Sequence, residues 1–280
     1  MFGSAVLLAK GPYLYAAVET LVSKSSDDGG FVTTEATDST LMEFDSRSGA
    51  ARQVCSLKEQ RVIGAYDDRL VILRTLYPVD PDTLQDDDEA YMENLRSSTQ
   101  LILLADPRTG GEKEVLRAGY DEIGNLCLWE NRAYYGAMKK GVIRWTDLDT
   151  GEGGILTDQL PAGNLNYSTV HDGKIRVEYW EDKYLNAAQT GCRYVDVKTG
   201  AITELSLTTT KPREWVNVLS DAGEDFLIVS DYLAEEEYVA WAGVTQTNIT
   251  GRRYALIRKE DFWSSKAQYR EIQPAERTGS

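Results

Sequence analysis

The sequence predicts an all-β fold assembled from repeated four-stranded units, and three observations carry that expectation. The first is a phrase that recurs along the 280-residue chain: Asp45-Ser-Arg-Ser-Gly49, Asp106-Pro-Arg-Thr-Gly110, Asp147-Leu-Asp-Thr-Gly151 and Asp196-Val-Lys-Thr-Gly200. The second is another set of tight turns interleaved with it: Lys10-Gly11-Pro12, Asp67-Asp68-Arg69, Glu130-Asn131-Arg132, Asp172-Gly173-Lys174 and Gly223-Glu224-Asp225. The third is that the segments flanking both sets, such as "TQLILLA", "RLVILRTLY" and "KIRVEYW", are rich in the β-branched and aromatic residues that favour strands.

The chemistry of the recurring phrase is that of a turn. Its aspartate accepts hydrogen bonds from backbone N–H groups further round, and its glycine supplies a left-handed conformation that other residues adopt only at a cost. Asp261-Phe-Trp-Ser-Ser265 is read as a fifth, worn copy with serine in place of glycine. Two hairpins per unit and five units give a β-propeller with five recognisable four-stranded blades. The expected boundaries are a propeller over 1–273, blades at about 5–57, 62–118, 122–160, 165–207 and 214–273, and a flexible tail at 274–280.

Spacing says more. Let the strands be A to D from the centre outward, with A–B the first hairpin and C–D the second. The spans from Gly49 to Asp68, Gly110 to Asn131, Gly151 to Gly173 and Gly200 to Gly223 are nearly equal, so the D-to-A link is constant. Within a unit the spans differ widely, Asn131 to Gly151 being short and Gly223 to Ser265 long, so the variation falls between B and C. Because strands alternate in direction, one face carries only tight turns and the other carries every long insertion.

This repeat grammar resembles bacterial β-propellers of the TolB and low-density-lipoprotein-receptor propeller type, whose blades also end in a "D…G" hairpin. The resemblance covers roughly residues 5–273 and implies a fold, not an activity. It also implies an extracytoplasmic or cell-surface setting, with a cytoplasmic one as the alternative. The chain begins at an A strand and finishes at a D strand, so either five blades close by packing alone or they belong to a larger ring.

Composition excludes several classes. A formal net charge of −15 argues against a nucleic-acid partner, which requires a concentrated basic surface. Cys55, Cys127 and Cys192 are odd in number and far apart, and read as small buried strand residues rather than a disulfide or metal site. No apolar run is long enough to span a bilayer. The opening "MFGSAVLLAKGPYLY" lacks the basic and long apolar regions of an export signal.

Function is expected on the B–C face, because loops on a rigid scaffold are its usual carriers. Asp86, Asp87, Asp88 and Glu89 precede a short helix through Tyr91 and Leu95, and read better as an acidic helix start than as a calcium site. The candidate ligand-binding residues are the aromatics Trp180, Tyr184, Tyr232, Tyr238, Trp241 and Tyr91, weighed against a role in pinning long loops to blade edges. The single histidine, His171, is placed in a tight turn on the plain face, so Ser-His-Asp and histidine-rich metal chemistry are disfavoured. No catalytic residue, metal or cofactor is expected. The reading is a non-catalytic binding or scaffolding propeller for a protein, peptide or glycan ligand. The alternatives are a glycoside hydrolase-like enzyme, for which Glu122 and Glu214 near A-strand starts are the candidate carboxylates, and a purely structural blade array.

Overall fold

The computed structural model describes residues 2–25, 32–84, 87–137, 140–166, 169–183, 186–210, 213–239 and 245–272. The tail at 274–280 lies outside the described residues. The first sheet holds β1 (Phe2–Lys10), β2 (Tyr13–Ser25), β3 (Val32–Asp45) and β4 (Ala51–Ser56). The second holds β5 (Gln60–Tyr66), β6 (Arg69–Leu76), β7 (Thr99–Ala105) and β8 (Glu112–Gly119), with α1 (Asp88–Arg96) between β6 and β7. The third runs β9 (Asn125–Trp129), β10 (Arg132–Gly136), β11 (Ile143–Asp147) and β12 (Gly153–Thr157). In the fourth, β13 (Asn164–Asn166) and β14 (Val170–His171) both pair with β15 (Lys174–Lys183), followed by β16 (Asn186–Asp196) and β17 (Ile202–Glu204). The fifth holds β18 (Asn217–Ala222), β19 (Asp225–Val239), β20 (Thr245–Arg258) and β21 (Arg270–Ile272), with α2 (Lys259–Trp263) after β20. Strands pair in chain order within each sheet, and the fold is all-β, a β-propeller with five four-stranded blades.

Contacts divide the chain into two compact units, 1–135 with 145–154, and 136–144 with 155–280. In the first unit, β6 and β7 bury both of their faces. Val71, Leu73, Ile102 and Leu104 pack with Ile123, Leu126 and Tyr135. Their neighbours Leu70, Ile72, Leu101 and Leu103 point the other way, against Tyr15 and Leu41. A strand covered on both sides reads as an unbroken apolar run, which is why "RLVIL" shows no alternation. In the second unit, Cys192 and Tyr194 of β16 pack against Val218, Phe226, Ile228 and Phe262. Tyr194, Phe226 and Phe262 meet edge to face, with ring centroids 5.8 Å (Tyr194–Phe262) and 5.2 Å (Phe226–Phe262) apart.

The recurring turns are built as their residues dictate. Oδ1 of Asp147 accepts from the N–H groups of Asp149 and Thr150 at 3.0 and 2.9 Å, and the Gly151 N–H returns to the Asp147 carbonyl at 2.9 Å. Gly49, Gly110, Gly151 and Gly200 all take φ between 70° and 75°. Burial works against the charge of Asp196, but N–H groups of Thr199 and Lys198, the Thr199 hydroxyl and Lys174 outweigh it and hold its carboxyl at about 2.

Four expectations need correction. The fifth copy, 261–265, is no hairpin turn but the end of α2, where Phe262 and Trp263 enter the aromatic core and Ser265 adopts the left-handed φ of 56°. In blades one, four and five the B–C insertions are not loops; strands B and C simply continue past the blade as β2/β3, β15/β16 and β19/β20, each strand satisfying its partner's backbone groups. The inner strand of blade four is split in two. His171 is the last residue of β14, not part of the turn that follows it. A feature with no sequence signal accompanies these: β1, β5 and β18 each carry a bulge in their pairing with the B strand, between Val6 and Leu8, Val62 and Gly64, and Val218 and Ser220. Such bulges bend a strand and increase its twist.

Gly49 and Gly200 separate two costs that a turn glycine carries. A Cβ at Gly49 meets nothing within 4 Å, whereas at Gly200 it collides with the Leu156 carbonyl oxygen. Gly49→Ala is expected to cost about 1 kcal/mol from conformation alone. Gly200→Ala should cost about 3 kcal/mol, because backbone must move as well. Urea denaturation of the two variants checks this, and equal costs would show that the blade-edge contact is soft.

Candidate binding site along the fourth blade

Counted from their turns, the third residues of β2, β6, β10 and β15 are Tyr15, Val71, Tyr134 and Arg176. All four are buried, with exposures of 4%, 0%, 2% and 4%. Arg176 is the charged exception in a position that is otherwise apolar or aromatic. Its neighbour on the same face, Glu178, stands where β6 has the buried Leu73. Their Nη2–Oε1 distance is 2.8 Å. Nη1 also donates to Asn217 Oδ1 at 2.5 Å, and Nη2 to the Trp215 carbonyl at 3.3 Å. Nε is buried with no hydrogen-bond partner among the described residues.

The inner strand is split here. β13 pairs Asn166 with Glu178 and β14 pairs Val170 with Ile175, four steps along one strand against three along the other. Directly opposite the interruption, the Arg176 N–H donates to the Thr169 carbonyl at 3.0 Å. A cavity of about 350 Å³ and one of about 140 Å³ flank this region. The smaller is lined by Asn166, Thr169, Arg176, Glu178 and Asn217. The larger includes Tyr179, Cys192, Arg193, Glu204, Leu205 and Trp215.

Trp215 ties the two together. Its indole N–H donates to the Leu205 carbonyl at 3.0 Å, its backbone N–H to Gln189 Oε1 at 3.1 Å, and its carbonyl receives Arg176. In the larger cavity the Arg193 guanidinium lies 4.9 Å from the Tyr179 ring centre and donates to Glu204 at 2.6 Å. Gly191 keeps that ring free, since a Cβ there would come within 3.4 Å of it. Burial pushes the Cys192 thiol up to about 11, so it stays protonated and inert near neutral pH.

Of the residues expected to bind, Trp180 lies on β15 and lines neither cavity; it is partly exposed, its indole N–H donating to Glu178 Oε2 at 3.3 Å. Tyr232 lies on β19, and its hydroxyl donates to Glu214 Oε2 at 3.1 Å. Burial, then the Glu214 charge and that bond, raise its pKa. Tyr91 sits on α1 in the other compact unit, exposed. Tyr184 and Trp241 lie outside the described residues, as does the side chain of Tyr238. Asp87 caps α1, accepting from the Ala90 N–H at 2.9 Å, while Asp88 and Glu89 fill its first turn; Asp86 lies outside the described residues. Glu122 is in a turn before β9, its carboxylate accepting from the Gly119 N–H at 3.1 Å, and Glu214 precedes β18, so neither stands within an inner strand. No group of three or more His, Cys, Asp or Glu side chains able to hold a metal occurs among the described residues. Arg176, Glu178 and Asn217 were not foreseen. The only available signal was an arginine two residues before a glutamate inside the apolar context "KIRVEYW".

No family model and no curated protein sequence matches the chain. Solved structures similar to it include the β-propeller domain of the Trilobed protease from Pyrococcus furiosus, at 11% identity and a TM-score of 0.48, over 97% of this chain and 70% of that one. Dipeptidyl peptidase 4 of Porphyromonas gingivalis aligns at 13% identity and a TM-score of 0.45, over 94% of this chain and 35% of that one. TolB from Acinetobacter baumannii aligns at 12% identity and a TM-score of 0.40, over 85% of this chain and 60% of that one. The chain thus spans about a third of the peptidase and three-fifths of TolB. Among the described residues no helix is long and apolar enough to cross a membrane.

His171 reports on the base of this site. Burial, then the Arg176 charge, lower its pKa below 6.5, with Asp221 opposing. Its ring meets Phe226 edge to face at 6.3 Å. A histidine depressed in the folded state binds fewer protons than the unfolded chain, so stability is fully present above 6.5 and falls as pH drops through the window beneath it. As the chain's single histidine, its imidazole resonance can be followed without ambiguity. That resonance should titrate below 6.5, and His171→Gln should flatten the acid limb of stability. A midpoint at or above 6.5 would contradict the burial described.

Proposed function

We propose that this chain is a non-catalytic binding propeller whose ligand seats along β15 and the entrance to β18, between Trp180 and Tyr232. The observation that carries this reading is the replacement of an apolar repeat position by the Arg176–Glu178 pair. A buried ion pair is weak as a stabiliser, because desolvating two charges offsets most of their attraction. The fold does not require one there, since β6 fills the same positions with Val71 and Leu73. Fixed polar groups beside an open cavity and partly exposed aromatics are the usual make-up of a recognition site. The strands that extend beyond the blade, β15/β16 and β19/β20, add backbone and side-chain surface at its border. An extracytoplasmic or cell-surface setting belongs to this reading and rests on the TolB-type resemblance alone.

The test is a screen of the intact chain against an immobilised glycan array and a displayed peptide library, repeated with Trp180→Ala and Tyr232→Ala. Capture should fall about tenfold or more with Trp180→Ala, the loss expected of an aromatic anchor, while the melting temperature changes little. Capture indifferent to both substitutions, or no capture from either collection, would overturn the reading.

A further inference from the structure

We infer that the smaller cavity is a subsite for one neutral pyranose ring, with Glu178, Asn166 and Asn217 as its hydrogen-bonding wall and Arg176 fixing Glu178 and Asn217 from behind. This rests on the binding reading above and names the chemistry of its ligand.

Charge balance is the first argument. Arg176 and Glu178 already neutralise each other at 2.8 Å. An anionic ligand would have to compete with the Glu178 carboxylate, and a cationic one would meet the Arg176 guanidinium. A ligand without charge that both donates and accepts meets neither obstacle. Its hydroxyl oxygens can receive the amide N–H groups of the exposed Asn166 and Asn217, and its hydroxyl protons can go to Glu178 lone pairs left open by the ion pair.

Geometry is the second. The carboxylate and the two amides are all planar groups with paired donors or acceptors, and such groups match the spacing of adjacent hydroxyls on a sugar ring. Arg176 is held by Glu178, Asn217 and the Trp215 carbonyl, and in turn fixes the Glu178 carboxylate and the Asn217 amide before any ligand arrives. Glu178 is likewise oriented by the Trp180 indole N–H at 3.3 Å. That bond places an aromatic ring next to the polar wall, the pairing that lets a sugar offer its C–H face to a ring and its hydroxyls to polar groups. The cavity of about 140 Å³ is sized for a single ring rather than a chain. The larger cavity beyond Trp215 leaves room for the rest of a glycan.

Methyl glycosides of glucose, galactose and mannose are the probes, with methyl glucuronide and glucosamine as charged counterparts. Saturation-transfer NMR and tryptophan fluorescence on the intact chain read binding. At least one neutral glycoside should bind in the millimolar range and better than either charged sugar. Asn166 is exposed and its side chain makes no hydrogen bond among the described residues, so Asn166→Ala should leave the melting temperature unchanged and weaken binding about fivefold, the worth of one hydrogen bond. Glu178→Gln should weaken it at least as much. Tighter binding of a charged sugar, binding indifferent to Asn166→Ala, or no neutral glycoside bound would each overturn the subsite. If that happens while array or peptide capture still depends on Trp180, the binding reading stands and the sugar assignment alone falls.

Discussion

A four-stranded sheet whose middle strands are apolar on both faces cannot stand alone in water, and that constraint governs this chain. Leu70 and Val71 are neighbours on one strand, point to opposite sides, and are 2% and 0% exposed. Each must therefore find cover from a different neighbouring sheet. In the first compact unit Tyr15 and Leu41 cover one side, and Ile123, Leu126 and Tyr135 the other. In the second, Tyr194 of β16 meets Phe226 of β19 and Phe262 of α2. The turns serve this packing. A one-residue slip would send every apolar side chain of a strand to the wrong face, and the Asp–Gly turn fixes the count.

Against that background a charge on a covered face is costly. Removing one member of a buried ion pair typically destabilises by about 3–5 kcal/mol, whereas an apolar pair of similar volume is often at least as stable. Tyr15, a polar residue at the equivalent position of β2, shows how such a group is retired. Its hydroxyl donates to Glu43 at 2.6 Å, and Glu43 is in turn held by Arg52 at 2.7 Å. Arg176 differs because the pairing beside it is broken. Its Nε, itself buried, stays unmatched among the described residues, and its partners Glu178 and Asn217 line the smaller cavity.

The turn aspartates and glycines were legible in the sequence because their chemistry is local: four residues determine the hydrogen bonds and the sign of φ. The blade repeat followed from their spacing. The bulges were not legible, because an added Ile63 in "RVIGAY" leaves the pattern looking like any strand. Nor was α2, since the apolar pair Phe262 and Trp263 suits a hairpin as well as a helical turn until the core that receives it is known. For the site, Trp180 and Tyr232 could be singled out as aromatics with polar ends. Arg176 could not. In "KIRVEYW" Lys174, Arg176 and Glu178 alternate with Ile175, Val177 and Tyr179, the pattern of a strand with one wet face. Only the neighbouring blade's Val216 and Val218, packed on Cys192 and Tyr194, show that this face is covered.

Blade four departs from its siblings in two ways at once, and both meet on a strand that, as in blades one and five, runs on beyond the blade. Its inner strand is split, where blades one, two and five carry only a bulge. Its B strand places Arg176 and Glu178 on the covered face. The same strand then runs on through a second irregularity between Tyr179 and Trp180, where the Thr190 hydroxyl donates to the Tyr179 carbonyl at 3.3 Å. Sequence drift would scatter such departures over five blades, because each alone weakens packing and none relieves another. Their convergence around one cavity is better explained by a shared demand. The ion pair orients the Glu178 and Asn217 side chains at the cavity wall, and the extension carries Trp180, whose indole N–H holds the Glu178 carboxylate.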